Sequence, residues 1–195
     1  MIVIDSAQQS TLARDYAAKG YAILSHMVSP QLAAEWEARY RSLPGRRVRV
    51  GRDVQSMWLE QKFAEPAQAL DGLAFSEGFL SLAARIAGLK GIDRHRTEVW
   101  INRYSPGEWV PTHCDGAGST QMVVCLQGLT EPDKGGELTV RDEIVPLGAG
   151  DAVLFFANGV PHGVLPIGSP KVGPSGFSRV SCAIRLYAPD VEGAS

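Results

Sequence analysis

Two spacings of apolar positions divide the chain. Up to about residue 96 the apolar residues recur mainly at helical intervals, as in Leu32, Ala33, Trp36, Tyr40 and Leu43, which share one stripe of a predicted helix. Ser29 and Pro30, just before that stripe, are the residue types of an N-cap and a first helical turn. A shorter helix is expected from Ser10-Thr11 through Ala18, and Tyr21-Ala22-Ile23-Leu24 reads as a short strand between the two. A third helical stretch, roughly 67–89, is interrupted between Gly72 and Gly78 and ends at Leu89-Lys90-Gly91, where glycine suits a helix C-terminus. From Thr97 the spacing shortens to alternation, in segments separated by Gly and Pro. Strands are predicted at about 97–104, 109–115, 119–127, 136–141, 143–146, 151–157, 162–167 and 178–187. Eight short strands of this kind predict a sandwich or small barrel whose alternate side chains face a common interior. The expected fold class is therefore mainly β with flanking helices (α+β). It forms a single domain over 1–195, with 1–96 as mainly helical support and 97–187 as the β core.

Composition narrows the function classes. At 195 residues and 45% hydrophobic content the chain is long enough for one substantial core. Nineteen Lys and Arg against 21 Asp and Glu give no electrostatic reason to expect nucleic acid or an anionic membrane as partner. A small, roughly neutral molecule fits better. The start of the sequence, Met1-Ile2-Val3-Ile4-Asp5, lacks a basic segment followed by a long apolar stretch, and no apolar run approaches the ~20 residues of a membrane span, so a cytoplasmic protein is expected. The three cysteines, Cys114, Cys125 and Cys182, are odd in number and lack CxxC spacing, which argues for reduced, structural thiols. Oligomeric state leaves no signature in the sequence.

Candidate chemistry begins at Thr112-His113-Cys114-Asp115-Gly116. A histidine and an aspartate two residues apart on a strand share a face, about 6.6 Å apart along it, and both can reach one ion. His-X-Asp alone is a weak signal. Forty-seven residues later, however, Val160-Pro161-His162-Gly163-Val164 supplies a second histidine in an otherwise apolar stretch, and it needs a partner. Two histidines and one carboxylate suit non-haem iron(II) with open coordination positions, and zinc hydrolases use similar sets. An anion site would separate the two. In the last predicted strand Arg179, Ser181, Ala183 and Arg185 share one face and Val180, Cys182, Ile184 and Leu186 the other. The apolar set is expected to pack on helices, which turns the arginines inward, where an unpaired guanidinium is costly and implies an anion. A planar guanidinium binds a carboxylate bidentately.

Between Trp100 and Tyr187, just under half its length, the chain resembles the Fe(II)/2-oxoglutarate oxygenases, especially the compact prolyl-hydroxylase-like and AlkB-type members. The matching pieces are Ile101-Asn102-Arg103-Tyr104-Ser105-Pro106-Gly107, His113-Cys114-Asp115, Gly135-Gly136-Glu137-Leu138, Gly150-Asp151-Ala152-Val153-Leu154-Phe155-Phe156, Pro161-His162-Gly163-Val164 and Arg179-Val180-Ser181, in that order. The resemblance implies a double-stranded β-helix (jelly-roll, cupin-like) core of eight strands packed by the N-terminal helices. It also implies that His113, Asp115 and His162 bind Fe(II), and that Arg179 with Ser181 binds the distal carboxylate of 2-oxoglutarate, assisted by Tyr104 and Asn102. Arg185 has the spacing of a second arginine in AlkB-type proteins, or emerges at the strand end into solvent. Lys171 is near the position of a prolyl-hydroxylase lysine but lies in the Gly/Pro-rich 168–177 loop and is read as a solvated charge.

What such a resemblance implies for activity is a dioxygenase that uses Fe(II), 2-oxoglutarate and O2 to hydroxylate an unactivated C–H bond, releasing succinate and CO2. Asp115 argues against a halogenase, since halide-transferring relatives lack that carboxylate. The expected substrate is a small molecule such as an amino acid, a derivative or a biosynthetic intermediate. Two alternatives stand beside it, an AlkB-type demethylase of nucleic acid or protein and a non-catalytic metal- or metabolite-binding β-barrel sensor. Trp100, Trp58 and Trp109 are candidates for the substrate pocket, with core packing the competing role for each. Arg46, Arg47, Arg49 and Arg52 form a basic cluster that reads as an exposed charged connector, or else meets a substrate anion.

Overall fold

A computed structural model describes residues 4–41, 43–49, 52, 57–63, 66–128, 135–168 and 179–190. Its helices are α1 (Ser6–Lys19), α2 (Pro30–Tyr40) and α3 (Glu77–Ala87). The strands are β1 (Tyr21–Leu24), β2 (Arg46–Arg49), β3 (Met57–Lys62), β4 (Glu98–Tyr104), β5 (Val110–His113), β6 (Thr120–Gln127), β7 (Leu138–Val140), β8 (Glu143–Val145), β9 (Ala152–Phe155), β10 (His162–Val164) and β11 (Arg179–Leu186). They form two antiparallel sheets, one of seven strands in the order β1-β9-β6-β11-β4-β3-β2 and one of four in the order β5-β10-β7-β8. Mainly β with flanking helices is the architecture found.

The helices start where side-chain oxygens satisfy free backbone N–H groups. Ser29 accepts from Leu32 N at 3.1 Å ahead of Pro30, and Ser76 accepts from Phe79 N at 3.3 Å. α1 begins earlier than the apolar stripe suggests because Asp5 and Gln8 form a reciprocal capping box, and it ends at left-handed Gly20. α3 stops at Gly88 rather than Gly91. Where the sequence predicts helix from about residue 67 with a break between Gly72 and Gly78, the chain forms a 3-10 segment, Pro66–Phe75, interrupted by left-handed Leu70, Asp71 and Gly72. Two non-glycine residues with positive φ cost on the order of 1–2 kcal/mol each. Bonds to α2 hold them there: Leu70 N donates to Tyr40 Oη at 2.7 Å, and Asp71 accepts from Trp36 Nε1 at 2.7 Å and from Arg39.

One departure from the sequence expectation matters for the site. Arg46, Arg47 and Arg49, expected in an exposed connector, lie on β2, and β2 and β3 extend the larger sheet beyond β4. Arg-Arg-Val-Arg has no alternating apolar set to signal a strand. As the edge strand of the sheet, β2 has one paired flank among the described residues and carries charges that discourage further pairing.

Two cores result. Val180, Cys182, Ile184 and Leu186 of β11 pack with Trp36, Phe79, Leu82 and Ile86 of the helices. Between the sheets, Tyr104, Val123, Val140, Val153, Phe155 and Ala183 form the second cluster. The apolar face of β11 thus lies against the helices and its arginine face between the sheets, as the alternation required. Among the described residues no helix is long and apolar enough to cross a membrane.

Candidate metal centre and active site

The two sheets leave a cavity of about 160 Å³ between them. At one end β10 pairs with β5 so that His162 stands directly opposite His113, their ring centroids 4.5 Å apart. The register then slips, with Val164 opposite Val110, so β5 carries one residue more than β10. This bulge brings β5 backbone against Gly163, where a Cβ would stand 2.8 Å from Val110 O and 3.1 Å from Thr112 N. Only a residue without a side chain permits the approach that aligns the histidines.

Asp115 arrives differently from expectation. β5 ends at His113, so the carboxylate sits in the following loop and not on the strand; the loop is pinned by Asp115 N donating to Ala157 O at 3.1 Å. Its Oδ1 lies 3.9 Å from His113 Nε2 and its Oδ2 3.6 Å from His162 Nε2. One donor atom from each of the three residues falls within 4.8 Å of the others, a spread that one ion can bridge.

Tautomers favour a metal. His113 Nδ1 lies 2.9 Å from Pro111 O and His162 Nδ1 3.0 Å from Val160 O. A carbonyl only accepts, so each Nδ1 carries the proton and each Nε2 keeps its lone pair for the shared point. Burial chiefly, helped by neighbouring His113, holds the His162 imidazole below its usual pKa despite the Val160 carbonyl and Asp115. The neutral form is the one that ligates. Asp115 Oδ2 is buried and has no hydrogen-bond partner among the described residues, a deficit that a cation would remove.

At the other end of the cavity Arg179, 3% exposed, donates through Nη1 to Gly136 O at 3.0 Å. Its Nε and Nη2 are buried with no partner among the described residues. Ser181 follows on the same face, and across the sheet Arg179 pairs with Tyr104 and Ser181 with Asn102. All four line the cavity with the triad. Tyr104 is held by burial well above the usual phenol pKa and is therefore a neutral hydroxyl.

No protein-family model and no curated protein matches the chain. Among solved structures, a prolyl-4-hydroxylase from Pseudomonas putida superposes with a TM-score of 0.68 at 24% identity, covering 92% of this chain and 98% of that one. A 2OG-Fe(II) oxygenase family oxidoreductase from Burkholderia pseudomallei gives 0.70 at 15% identity, over 95% and 93%. The epimerase SnoN of nogalamycin biosynthesis, in complex with Fe3+, α-ketoglutarate and nogalamycin RO, gives 0.69 at 19% identity, over 98% and 93%. The chain has the fold of the 2OG-Fe(II) oxygenases.

Within this oxygenase fold the remaining candidates separate. Trp100 and Trp58 line the cavity, and Trp58 stacks on Tyr104 with centroids 6.4 Å apart. Trp109 is not among the lining residues and lies just before β5 in the segment that follows β4. Arg185 does not emerge into solvent: its Nη2 donates to Asp115 Oδ1 at 2.8 Å. The arginine cluster is tied down at its exposed edge, Arg46 to Glu60 at 3.2 Å and Arg47 to Glu108. Lys171 lies outside the described residues, as does most of the 168–177 loop. Sequence reasoning did not single out Glu60 and Gln121, which also line the cavity. Alternation along β6 with Val123 marks Gln121; Glu60 carried no signal because β3 itself was not recognised.

Proposed function

We propose that the chain is an Fe(II)- and 2-oxoglutarate-dependent dioxygenase that hydroxylates an unactivated C–H bond of a small molecule, on a double-stranded β-helix core. The observation that carries this reading is the pairing, in one cavity, of a His-Asp-His cluster with a buried arginine whose Nε and Nη2 lack partners among the described residues. Metal binding alone does not require that arginine. An unpaired buried guanidinium costs several kcal/mol, and a dicarboxylate bound between Arg179 and the metal offsets it.

In this reading His113, Asp115 and His162 hold the metal through two Nε2 atoms and the carboxylate. Arg179 receives the distal carboxylate of 2-oxoglutarate bidentately, and Ser181 adds a hydroxyl donor. Asn102 and Tyr104 close the same end, and Tyr104, as a neutral phenol, can donate a hydrogen bond but holds no negative charge against the anion. With iron, 2-oxoglutarate and O2 bound, the cofactor set supplies the oxidant, one oxygen atom passing to the substrate and one to succinate as CO2 leaves. The walls formed by Trp58, Trp100, Val123 and Leu138 exclude water and direct a substrate C–H bond toward the metal position. A small-molecule substrate is supported by the near-neutral net charge of −2 and by the nogalamycin compound bound to SnoN.

The test is an anaerobic titration of metal-free protein with Fe(II) and then 2-oxoglutarate. A weak visible charge-transfer band, seen only with both present, is the expected result. Its absence in folded, iron-loaded protein would remove the co-substrate assignment and leave a metal-binding barrel. With the band established, succinate release in the presence of candidate small molecules identifies the substrate.

A further inference from the structure

Arg185 is the most heavily engaged side chain beside the metal triad. Its Nη2 bonds Asp115 Oδ1 at 2.8 Å, its Nη1 reaches Glu98 Oε2 at 3.4 Å and its Nε reaches Gln121 Oε1 at 3.3 Å. The guanidinium carbon lies 5.0 Å from the centroid of the Trp100 ring. On its other side the loop after Asp115 packs onto its stem. Gly118 has φ +89°, and a Cβ there would stand 2.7 Å from Arg185 Cγ. A guanidinium held on so many sides is a fixed positive charge at a fixed place. The two carboxylates that share it differ: the Asp115 side chain is 9% exposed and that of Glu98 44%. Glu98 is itself anchored, accepting from Tyr187 Oη at 3.1 Å, and the Arg96 guanidinium sits 4.7 Å from the Tyr187 ring centroid.

We propose that Glu98 sets the metal affinity of the triad by sharing Arg185 with Asp115. The proposal rests on the metal reading of His113, Asp115 and His162. Arg185 ties off Asp115 Oδ1 and leaves Oδ2 without a hydrogen-bond partner among the described residues. That orients the carboxylate, but it also places a cation in contact with the triad's one anionic ligand, where it opposes a divalent ion. Glu98 draws on the same guanidinium from the far side and offsets part of that repulsion. Glu98 is thus a positioning residue that acts through Arg185, and Arg185 is the residue through which the charge at the metal position is tuned.

The experiment is a titration of the metal-free full chain with Mn(II) alone, following the electron paramagnetic resonance signal of free Mn(II), for wild type, E98Q, R185Q and the double variant. Coulomb's law at partly screened, near-surface separations predicts that R185Q tightens Mn(II) binding about tenfold, and E98Q, which leaves the guanidinium wholly to Asp115, is expected to weaken it about threefold. E98D, which keeps the charge, is expected to recover most of the wild-type affinity. In the R185Q background E98Q should have no further effect, because the coupling runs through the missing guanidinium. A purely structural role for Glu98, or a direct through-space pull of its charge on the ion, would weaken binding equally in both backgrounds, and that result, or an unchanged affinity in E98Q, overturns the proposal. Failure of the wild type itself to bind Mn(II) is a different result, which removes the metal reading and the proposal with it.

Discussion

Replacing Arg179 with Met tests the anion site with two effects of opposite sign. The native guanidinium is buried, makes one bond to Gly136 O, and leaves Nε and Nη2 unpartnered among the described residues. Two charge-assisted bonds to a carboxylate are worth about 1.5–3 kcal/mol each, so their loss, at the lower end because Ser181 stays in place, costs about 3–4 kcal/mol. The dissociation constant for 2-oxoglutarate then rises by roughly 10²–10³-fold. In the absence of ligand the balance reverses. The lost bond to Gly136 costs about 1 kcal/mol, while removal of unsatisfied buried donors returns about 1–3 kcal/mol, for a net gain of about 1 kcal/mol. For a chain of this size that raises the thermal midpoint by about 2–4 °C. The assays are calorimetric titration of Mn(II)-loaded protein with 2-oxoglutarate and thermal unfolding of the metal-free, ligand-free variant. A 2-oxoglutarate affinity within about threefold of wild type would refute the reasoning, since charge-assisted bonds of this kind cannot be lost so cheaply.

Other consequences can be checked independently. Arg103, 1% exposed, donates to the carbonyl oxygens of Tyr40, Arg41 and Leu43 at the end of α2, so Arg103→Met should lower stability by about 2–4 kcal/mol, read by urea unfolding, by leaving those acceptors without their cap. Thiol reagents should modify exposed Cys114 readily in the native protein while Cys125 and Cys182 resist until unfolding; both are buried, and burial pushes the Cys125 thiol up to about 11. Because burial depresses the His162 pKa in the folded state, the unfolded chain binds more protons between the folded value and about 6.5. Stability of the metal-free protein should therefore be full above about pH 6.5 and fall as the pH drops through that value toward the folded pKa. His162→Leu, measured by thermal unfolding over that range, should flatten the dependence; an equally steep fall in the variant would assign it to another group.

The amino-acid sequence by itself determined the β-core alternation and the chemistry it presents. The period of two along 179–186 requires Arg179, Ser181 and Arg185 on the face opposite Val180, Cys182, Ile184 and Leu186, since successive side chains of a strand point to opposite sides and only one side is apolar. The same logic put Trp100, Asn102 and Tyr104 together, and the isolation of His162 among apolar neighbours marked it as a side chain that needs a partner. The cap written in local residue types at Ser29-Pro30 was equally legible. What only the tertiary structure decided depends on pairing between segments distant in sequence. The bulge opposite Gly163 sets His113 beside His162, a register that no local pattern encodes. Asp115 reaches the triad from a loop pinned to Ala157, not from the strand that its spacing suggested. β2 and β3 exist because β4 offers an unpaired edge, so their charged residues gain backbone partners without needing an apolar face. The place of Arg185, between Asp115 and Glu98 and against Trp100, combines strand pairing with a loop approach, and a side chain's charge partners follow from that geometry and not from its neighbours in the chain.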